Sequence, residues 1–391
     1  MGVFPLSAAP NYKKMKSVFI NILLIISLLF NSLNCSFQVS IFNEMNKSKR
    51  GKNLIISPLS IFQILSLTTN GAKGQTQKEM IKTLKGSDME KLNNVNYKIL
   101  EIFKKFKTVE IANSVMSRFT PLKKFTEIAE KYCAPQEKLI SVEQVNNWCS
   151  QKTHGKITKI LDQLDASVRM ILLNAVYFKG EWSNKFRESS TQKKIFYNLG
   201  TEIKKVDTMQ KMDHFYYYED NKVQVIDLPY TKDGMSALII LPRENMDINR
   251  YVTSLNSNEK SLSELISKLK VSKVNLELPK FKLEFSSSLK ETLRDMGMIT
   301  AFTNGADLTG LRKEGNLKID DVLHKTFLKV NENGTEAAAV TAVVVKCGSS
   351  FRPVQEKIYQ MKVNRPFLFM LRSNKLPSDY DMLFMSKIES I

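Results

Sequence analysis

The chain has 391 residues, 43% of them hydrophobic, which supplies a substantial core and excludes a disordered protein. Lys and Arg number 58 against 39 acidic residues, a formal charge of +19 that favours anionic partners such as sulfated glycans, nucleic acid or acidic surfaces. The lysines are scattered along the chain rather than gathered in a stripe, and no nucleic-acid partner is expected. Four cysteines (Cys35, Cys133, Cys149, Cys347) form no C-x-x-C, and with three histidines in the chain a zinc site would need unusual ligands. G-x-S-x-G, P-loop and G-x-G-x-x-G motifs are absent, and neither metal nor cofactor is expected.

In chain order, Lys13, Lys14 and Lys16 flank an apolar run from Val18 to Phe30. That run has the length of a signal-peptide core and is short for a membrane span. Residues 1–35 are expected to be a signal peptide, cleaved near Asn34 or Cys35, with Met15 as an alternative start and export as the outcome. Phe37–Met45 reads as a short amphipathic helix, with Phe37, Ile41 and Met45 at i, i+4 and i+8. Ser57 is placed as the N-cap and Pro58 as the first residue of a helix to Thr69. Further helices are expected over Thr76–Leu84 and Lys98–Phe106. "VEIANSVMSR" (109–118) and "RMILLNAVYFKGEW" (169–182) read as strands, the second apolar enough to be buried on both faces. "VQVIDLPY", "MSALIILP" and "KVNLELPKFKLEF" read as strands and Ser287–Met296 as a helix. "KTFLKVNENG", "RPFLFMLR" and "DMLFMSKI" complete the strands. Helices early and strands late give an α+β fold with large mixed sheets.

One stretch asks for an explanation. "VNENGTEAAAVTAVVVKCGSSFRP" (330–353) has a Gly-Thr-Glu turn signal, then small residues, then β-branched ones suited to a strand, then a polar stretch. It would suit a narrow slot between two other strands.

Six segments together resemble the serpin family of protease inhibitors. They are "NLIISPLSIFQIL" with "NGAKGQT", "ILLNAVYFKGEWSNKF", "LPKFKLEFSSSLKETLRDMGMITAFTNGADLTGL", "VLHKTFLKVNENGTEAAAVTA", "NRPFLFMLR" and "MLFMSKI", in family order over residues 36–391. Two departures stand out. The stretch from Cys133 to Thr153 is shorter than the family's strand and helix, and the loop from Gly334 to Pro366 is a few residues longer.

The resemblance implies a single serpin-fold domain over 36–391 with an exposed reactive-centre loop at about 334–362. It implies a monomeric suicide inhibitor of serine proteases and not an enzyme, secreted as the N-terminal segment indicates; a non-inhibitory carrier or chaperone of the same fold is the alternative. In the family a protease cleaves the loop, is held as an acyl-enzyme, and is carried away as the loop inserts into the main sheet. The hinge is then Glu332, Gly334, Thr335, Glu336, Ala337, Ala338 and Ala339. With Thr335 the first side chain to turn inward, Ala337, Ala339 and Thr341 follow on the same face, and Glu336 faces water. The resemblance also implies a pair between Glu332 and Lys280 near Trp182, and a gating cluster of Ser57, Ser60, Asn174 and His324.

The cleaved bond is open. Family spacing from Gly334 reaches Gly348; counting back from Pro366 reaches Arg352, which precedes a proline. Phe351 suits a chymotrypsin-like protease and ranks first, Lys346 suits a trypsin-like one and ranks second, and Gly348 ranks third. Lys98, Lys104, Lys105 and Lys107 are a candidate site for a heparin-like glycan, with Lys98 and Lys105 on one helical face. Sequons at Asn46 and Asn333 are expected to be exposed to glycosylation on export, with Asn333 unmodified in active protein because a glycan at the hinge would hinder insertion.

Overall fold

The computed structural model describes residues 36–198, 203–255, 262–335 and 356–391. From the N-terminal side the elements are α1 (Phe37–Ser48), β1 (Leu54–Ile56), α2 (Pro58–Thr69), α3 (Gly74–Thr83), α4 (Met89–Phe103), β2 (Val109–Ser117), α5 (Lys123–Lys131), β3 (Gln136–Lys138), α6 (Val142–Lys152), β4 (Met170–Phe178) and β5 (Gly180–Glu181). There follow β6 (Gln192–Tyr197), β7 (Ile203–Glu219), β8 (Val223–Pro229), β9 (Met235–Pro242), α7 (Ile248–Ser254), α8 (Leu262–Ser267), β10 (Lys270–Pro279), β11 (Phe281–Ser288), α9 (Lys290–Asp295), β12 (Asp321–Asn331), β13 (Gly334–Thr335), β14 (Ile358–Lys362), β15 (Phe367–Ser373) and β16 (Met382–Ile388).

Two mixed sheets organise these strands. One runs β1-β16-β15-β9-β8-β7-β10-β14, with β6 also paired to β7; the other runs β3-β2-β4-β12-β13-β5, with β11 also paired to β12. β4 is buried along its whole length. Its Met170, Leu172, Val176 and Phe178 enter the main core, while Ile171, Leu173 and Ala175 face a second apolar cluster with Val145 and Trp148 of α6. Two-sided burial explains the nearly continuous apolar run. Pro58 opens α2 as its first residue, and every residue of that helix is buried beneath the sheet.

Several boundaries differ from the sequence reading. Ser57 makes no side-chain capping bond; its backbone N–H is instead spent on His324 at 3.1 Å. The helix expected at Lys98–Phe106 starts at Met89, where Asp88 accepts from the Lys91 N–H at 2.8 Å, and it ends at Phe103. "KVNLELPKFKLEF" breaks at Lys280 into β10 and β11, which lie in different sheets. Strand β11 continues to Ser288, so the next helix starts at Lys290 rather than Ser287. The stretch from Cys133 to Thr153 holds both a strand and a helix, the strand only three residues long. Cys133 is exposed and Cys149 buried, and both are free.

Candidate functional site

The site is a seam between β4 and β12. The two strands pair in parallel from Ile171–Asp321 to Val176–Thr326. Beyond that point they diverge, and β13 lies between β12 and β5. Thr335 pairs with Val330 on one side and Gly180 on the other; Gly334 pairs with Asn331 and Glu181. Two residues thus already occupy the start of an extra central strand.

Backbone geometry and packing fix this wedge. Gly334 has φ +145°, and a Cβ there would lie 2.0 Å from the Gly180 carbonyl oxygen. Only glycine accepts both the angle and the approach. Thr335 is fully buried, its hydroxyl 2.7 Å from that of Tyr230. Burial raises the Tyr230 pKa well above the usual tyrosine value, so the phenol stays neutral. Tyr230 stacks on Trp182 with centroids 4.3 Å apart. Trp182 in turn donates from its indole to the Asn331 carbonyl and from its backbone to the Asn333 carbonyl, both at 3.0 Å.

Glu332 anchors the turn from below. Its carboxylate lies 3.0 Å from Lys280 Nζ and accepts from the Thr191 hydroxyl at 2.7 Å. Burial alone would raise its pKa, but the Thr191 and Lys280 hydrogen bonds outweigh burial and hold it below the usual glutamate value. Lys280 sits where one strand leaves one sheet and starts in the other, its N–H bonded to the Asp207 carbonyl at 2.8 Å.

Lower down, a polar cluster joins β4, β12 and α2. Asn174 donates to Ser60 Oγ and, at 2.6 Å, to Asn113 Oδ1 of β2. Asn174 Oδ1 lies 2.5 Å from His324 Nδ1, and the Ser57 N–H donates to His324 Nε2. Because Nε2 accepts, the ring is neutral with its proton on Nδ1. Burial pushes its pKa down to about 3. Ser57 Oγ is buried in this cluster without a hydrogen bond.

A family model described as serine protease inhibitor matches residues 32–391. The chain belongs to the serpin family. It is 33% identical to Iripin-5 of Ixodes ricinus over 92% of this chain and 94% of that protein. It is 33% identical to the leukocyte elastase inhibitor of Xenopus laevis over 90% of this chain and 97% of that one. The native-state crystal structure of the thermophilic serpin tengpin superposes with a TM-score of 0.81 at 34% identity, covering 91% of this chain and 92% of tengpin. Serpins inhibit proteases rather than turn over a substrate, and this serpin is not an enzyme. Family members act both outside and inside cells.

Among the sequence-predicted residues, Glu332, Gly334, Thr335, Lys280 and Trp182 converge at the upper seam, and Ser57, Ser60, Asn174 and His324 at the lower. The segment 1–35 expected to be a signal peptide, the expected hinge residues Glu336, Ala337, Ala338 and Ala339, and the cleavage candidates Lys346, Gly348, Phe351 and Arg352 lie outside the described residues. Thr335 is corrected in one respect: it is already seated in the sheet, not waiting to enter it. The lysine cluster is corrected too. Lys98, Lys104, Lys105 and Lys107 are exposed, but the helix ends before Lys105, so no helical face joins Lys98 to it. Lys104 pairs with Glu101 at 2.5 Å. Asn46 is 1% exposed in the last turn of α1, and that sequon is not accessible in the folded chain. Asn333 is half-buried. The sequence reading missed Asn113, Thr191 and Tyr230. Tyr230 stood at the end of a quoted strand, but nothing local marked it as the partner of Thr335.

Proposed function

We propose that this serpin is a suicide inhibitor of serine proteases that traps its target as an acyl-enzyme by inserting its cleaved loop along the β4–β12 seam. The observation that carries this reading is the wedge: Gly334 and Thr335 already pair on both sides while the seam below them is closed. Continued in the same register, Ala337 comes opposite Leu328, Ala339 opposite Thr326, and Thr341 between His324 and Asn174. Insertion must therefore replace the direct β4–β12 pairs with two new ladders. Each new backbone hydrogen bond contributes roughly 0.5–1.5 kcal/mol and each buried valine-sized side chain roughly 1.5–3 kcal/mol. The unpaired state before cleavage is held by kinetics. The small residues from Ala337 to Ala339 let insertion outrun deacylation.

The target is a chymotrypsin-like protease, with Phe351 at the cleaved bond; Lys346, and with it a trypsin-like target, is the next reading. The chain acts as a secreted monomer after removal of residues near 1–35, its domain spans 36–391, and Asn333 stays unmodified in active protein because a glycan there would obstruct the wedge. Lys98, Lys105 and Lys107 offer a weak, salt-sensitive site for a sulfated glycan.

Incubation with a panel of serine proteases tests the reading. A covalent complex resistant to denaturant is expected with a chymotrypsin-like enzyme, mass spectrometry placing the cut after Phe351. The cleaved chain should melt far above the intact one. A chain cut with no complex, and no more heat-resistant afterwards, would return the function to the carrier reading; a cut after Lys346 would move the site.

A further inference from the structure

A cavity of about 330 Å³ opens beside the lower seam, between α4, β2, the residues just after α5 and the last residue of α6. Leu100 and Phe103 of α4 and Ile111 of β2 form its apolar wall. Gln63 of α2 also lines it; this side chain is 2% exposed, and both of its amide atoms lack a hydrogen-bond partner. A buried carboxamide with neither donor nor acceptor satisfied costs stability unless something completes it. Lys152, Lys104 and the exposed thiol of Cys133 line the cavity as well. Glu110 is there too, but its carboxylate is engaged by His154 at 3.0 Å.

We propose that this cavity binds a small amphiphilic anion that carries an amide. The amide pairs with the Gln63 carboxamide, whose NH2 donates and whose carbonyl oxygen accepts. An aromatic or short aliphatic body lies against Leu100, Phe103 and Ile111. The negative end meets Lys152, since Lys104 is already paired with Glu101, in a protein whose overall charge already favours anions. The volume admits a ligand of one ring and a few further atoms, at the small end of ligand sites. Asn113 also lines the cavity, and its Oδ1 accepts from Asn174 in the gating cluster. An occupant therefore touches the side chain that ties β2 to the seam, and its binding opposes the movement that opens the sheet. This last consequence rests on the inhibitory reading; the binding itself does not.

N-benzoylglycine serves as the probe because it holds a ring, an amide and a carboxylate. Calorimetric titration of the full chain should show saturable one-to-one binding. Gln63→Leu should weaken it about tenfold, the equivalent of one charge-neutral hydrogen-bonding group, without lowering the melting temperature, since an unpartnered amide is removed. Lys152→Ala, on an exposed position, should weaken it several-fold and serves if the first variant misfolds. Saturating probe should slow iodoacetamide alkylation of Cys133, read by peptide mass spectrometry, and leave Cys149 unchanged. Absence of saturable binding, binding that both variants leave intact, or an unaltered Cys133 rate would overturn the site. In the same samples the probe should lower the fraction of protease trapped rather than released. Unchanged trapping with binding intact would overturn the coupling through Asn113. No covalent complex with or without probe would overturn the inhibitory reading and leave the site standing.

Discussion

The upper and lower halves of one seam are held by different chemistry. Above, β13 has wedged the strands apart, and the contacts around it are large aromatic faces and a buried hydroxyl pair, Tyr230 with Thr335. Below, β4 and β12 pair directly, and a fully buried set of small polar groups spans them to α2. The aromatic half grips whatever segment enters it. The polar half is a lock: its hydrogen bonds must be given up before a third strand can pass, and each buried group left unpaired costs roughly 1–3 kcal/mol. A seam built this way is open enough to accept the first residues and closed enough to stay metastable.

The largest effect is expected from breaking the upper half alone. Thr335→Arg places a long cation where the native side chain is 0% exposed and bonded to Tyr230. Burying an unpaired charge costs several kcal/mol. Because Thr335 already sits in the sheet, the variant should expel the wedge before any cleavage as well as halt insertion afterwards. On a denaturing gel, the covalent complex should vanish completely while the loop is still cut, since the cleavage candidates lie more than about ten residues away. Complex formation at the wild-type level would mean that the upper half does not control insertion.

The lower half is expected to respond to pH. His324 is neutral in the fold, its pKa pushed down to about 3 from an ordinary value near 6.5. The unfolded chain therefore takes up a proton that the folded chain refuses as the pH falls below about 6.5. Stability is fully present above that pH and declines by up to about 1.4 kcal/mol per pH unit on the way toward pH 3. Asp381 has the opposite sign: burial raises its pKa to about 6, so between there and the ordinary aspartate value it favours the fold as pH falls. The difference between wild type and His324→Gln isolates the histidine. Urea midpoints at pH 7.5, 5.5 and 4.5 should show the wild type losing stability relative to the variant at each acid step. Parallel curves would mean that the ring gains its proton without opening the cluster.

The two halves were not equally legible from sequence. The apolar run of β4 and the proline opening α2 are local signals, and the elements they mark lie where expected; the turn read at Gly-Thr-Glu lies earlier, at Glu332–Asn333, with Gly334 and Thr335 already in β13. The polar cluster is not local. Asn174 and His324 are 150 residues apart and meet only because β4 and β12 pair in parallel. Family resemblance supplied those positions, but Asn113 entered the cluster through the register of β2 against β4, which no spacing in the chain encodes. Thr191 and Tyr230 were invisible for the same reason. The expected face joining Lys98 to Lys105 failed on a boundary: periodicity continued to Phe106, but the helix ends at Phe103, where the chain turns toward Asp233, whose carboxylate takes the Lys107 N–H at 2.8 Å.

The smallest expected effect separates the rim of the upper half from its buried interior. Lys280 is 37% exposed, so its pair with Glu332 is screened by water, and Lys280→Met should cost only about 0.5–1 kcal/mol. Thr191→Val removes the other hydrogen bond to the same oxygen and should cost about 1–1.5 kcal/mol. Glu332 itself is different, with a side chain only 7% exposed. Either partner alone still satisfies its carboxylate; with both gone, a nearly buried charge has no side-chain donor among the described residues. The double variant should therefore lose more than the sum of the two, by about 1–3 kcal/mol, and its Glu332 should take up a proton at a higher pH than in wild type. Urea midpoints for the four proteins give the coupling directly. Simple additivity would show that water reaches Glu332 once Lys280 is removed, placing the turn at the surface and leaving the buried grip on the wedge to the Trp182–Tyr230 stack, the Tyr230–Thr335 hydroxyl pair and the strand pairing of β13.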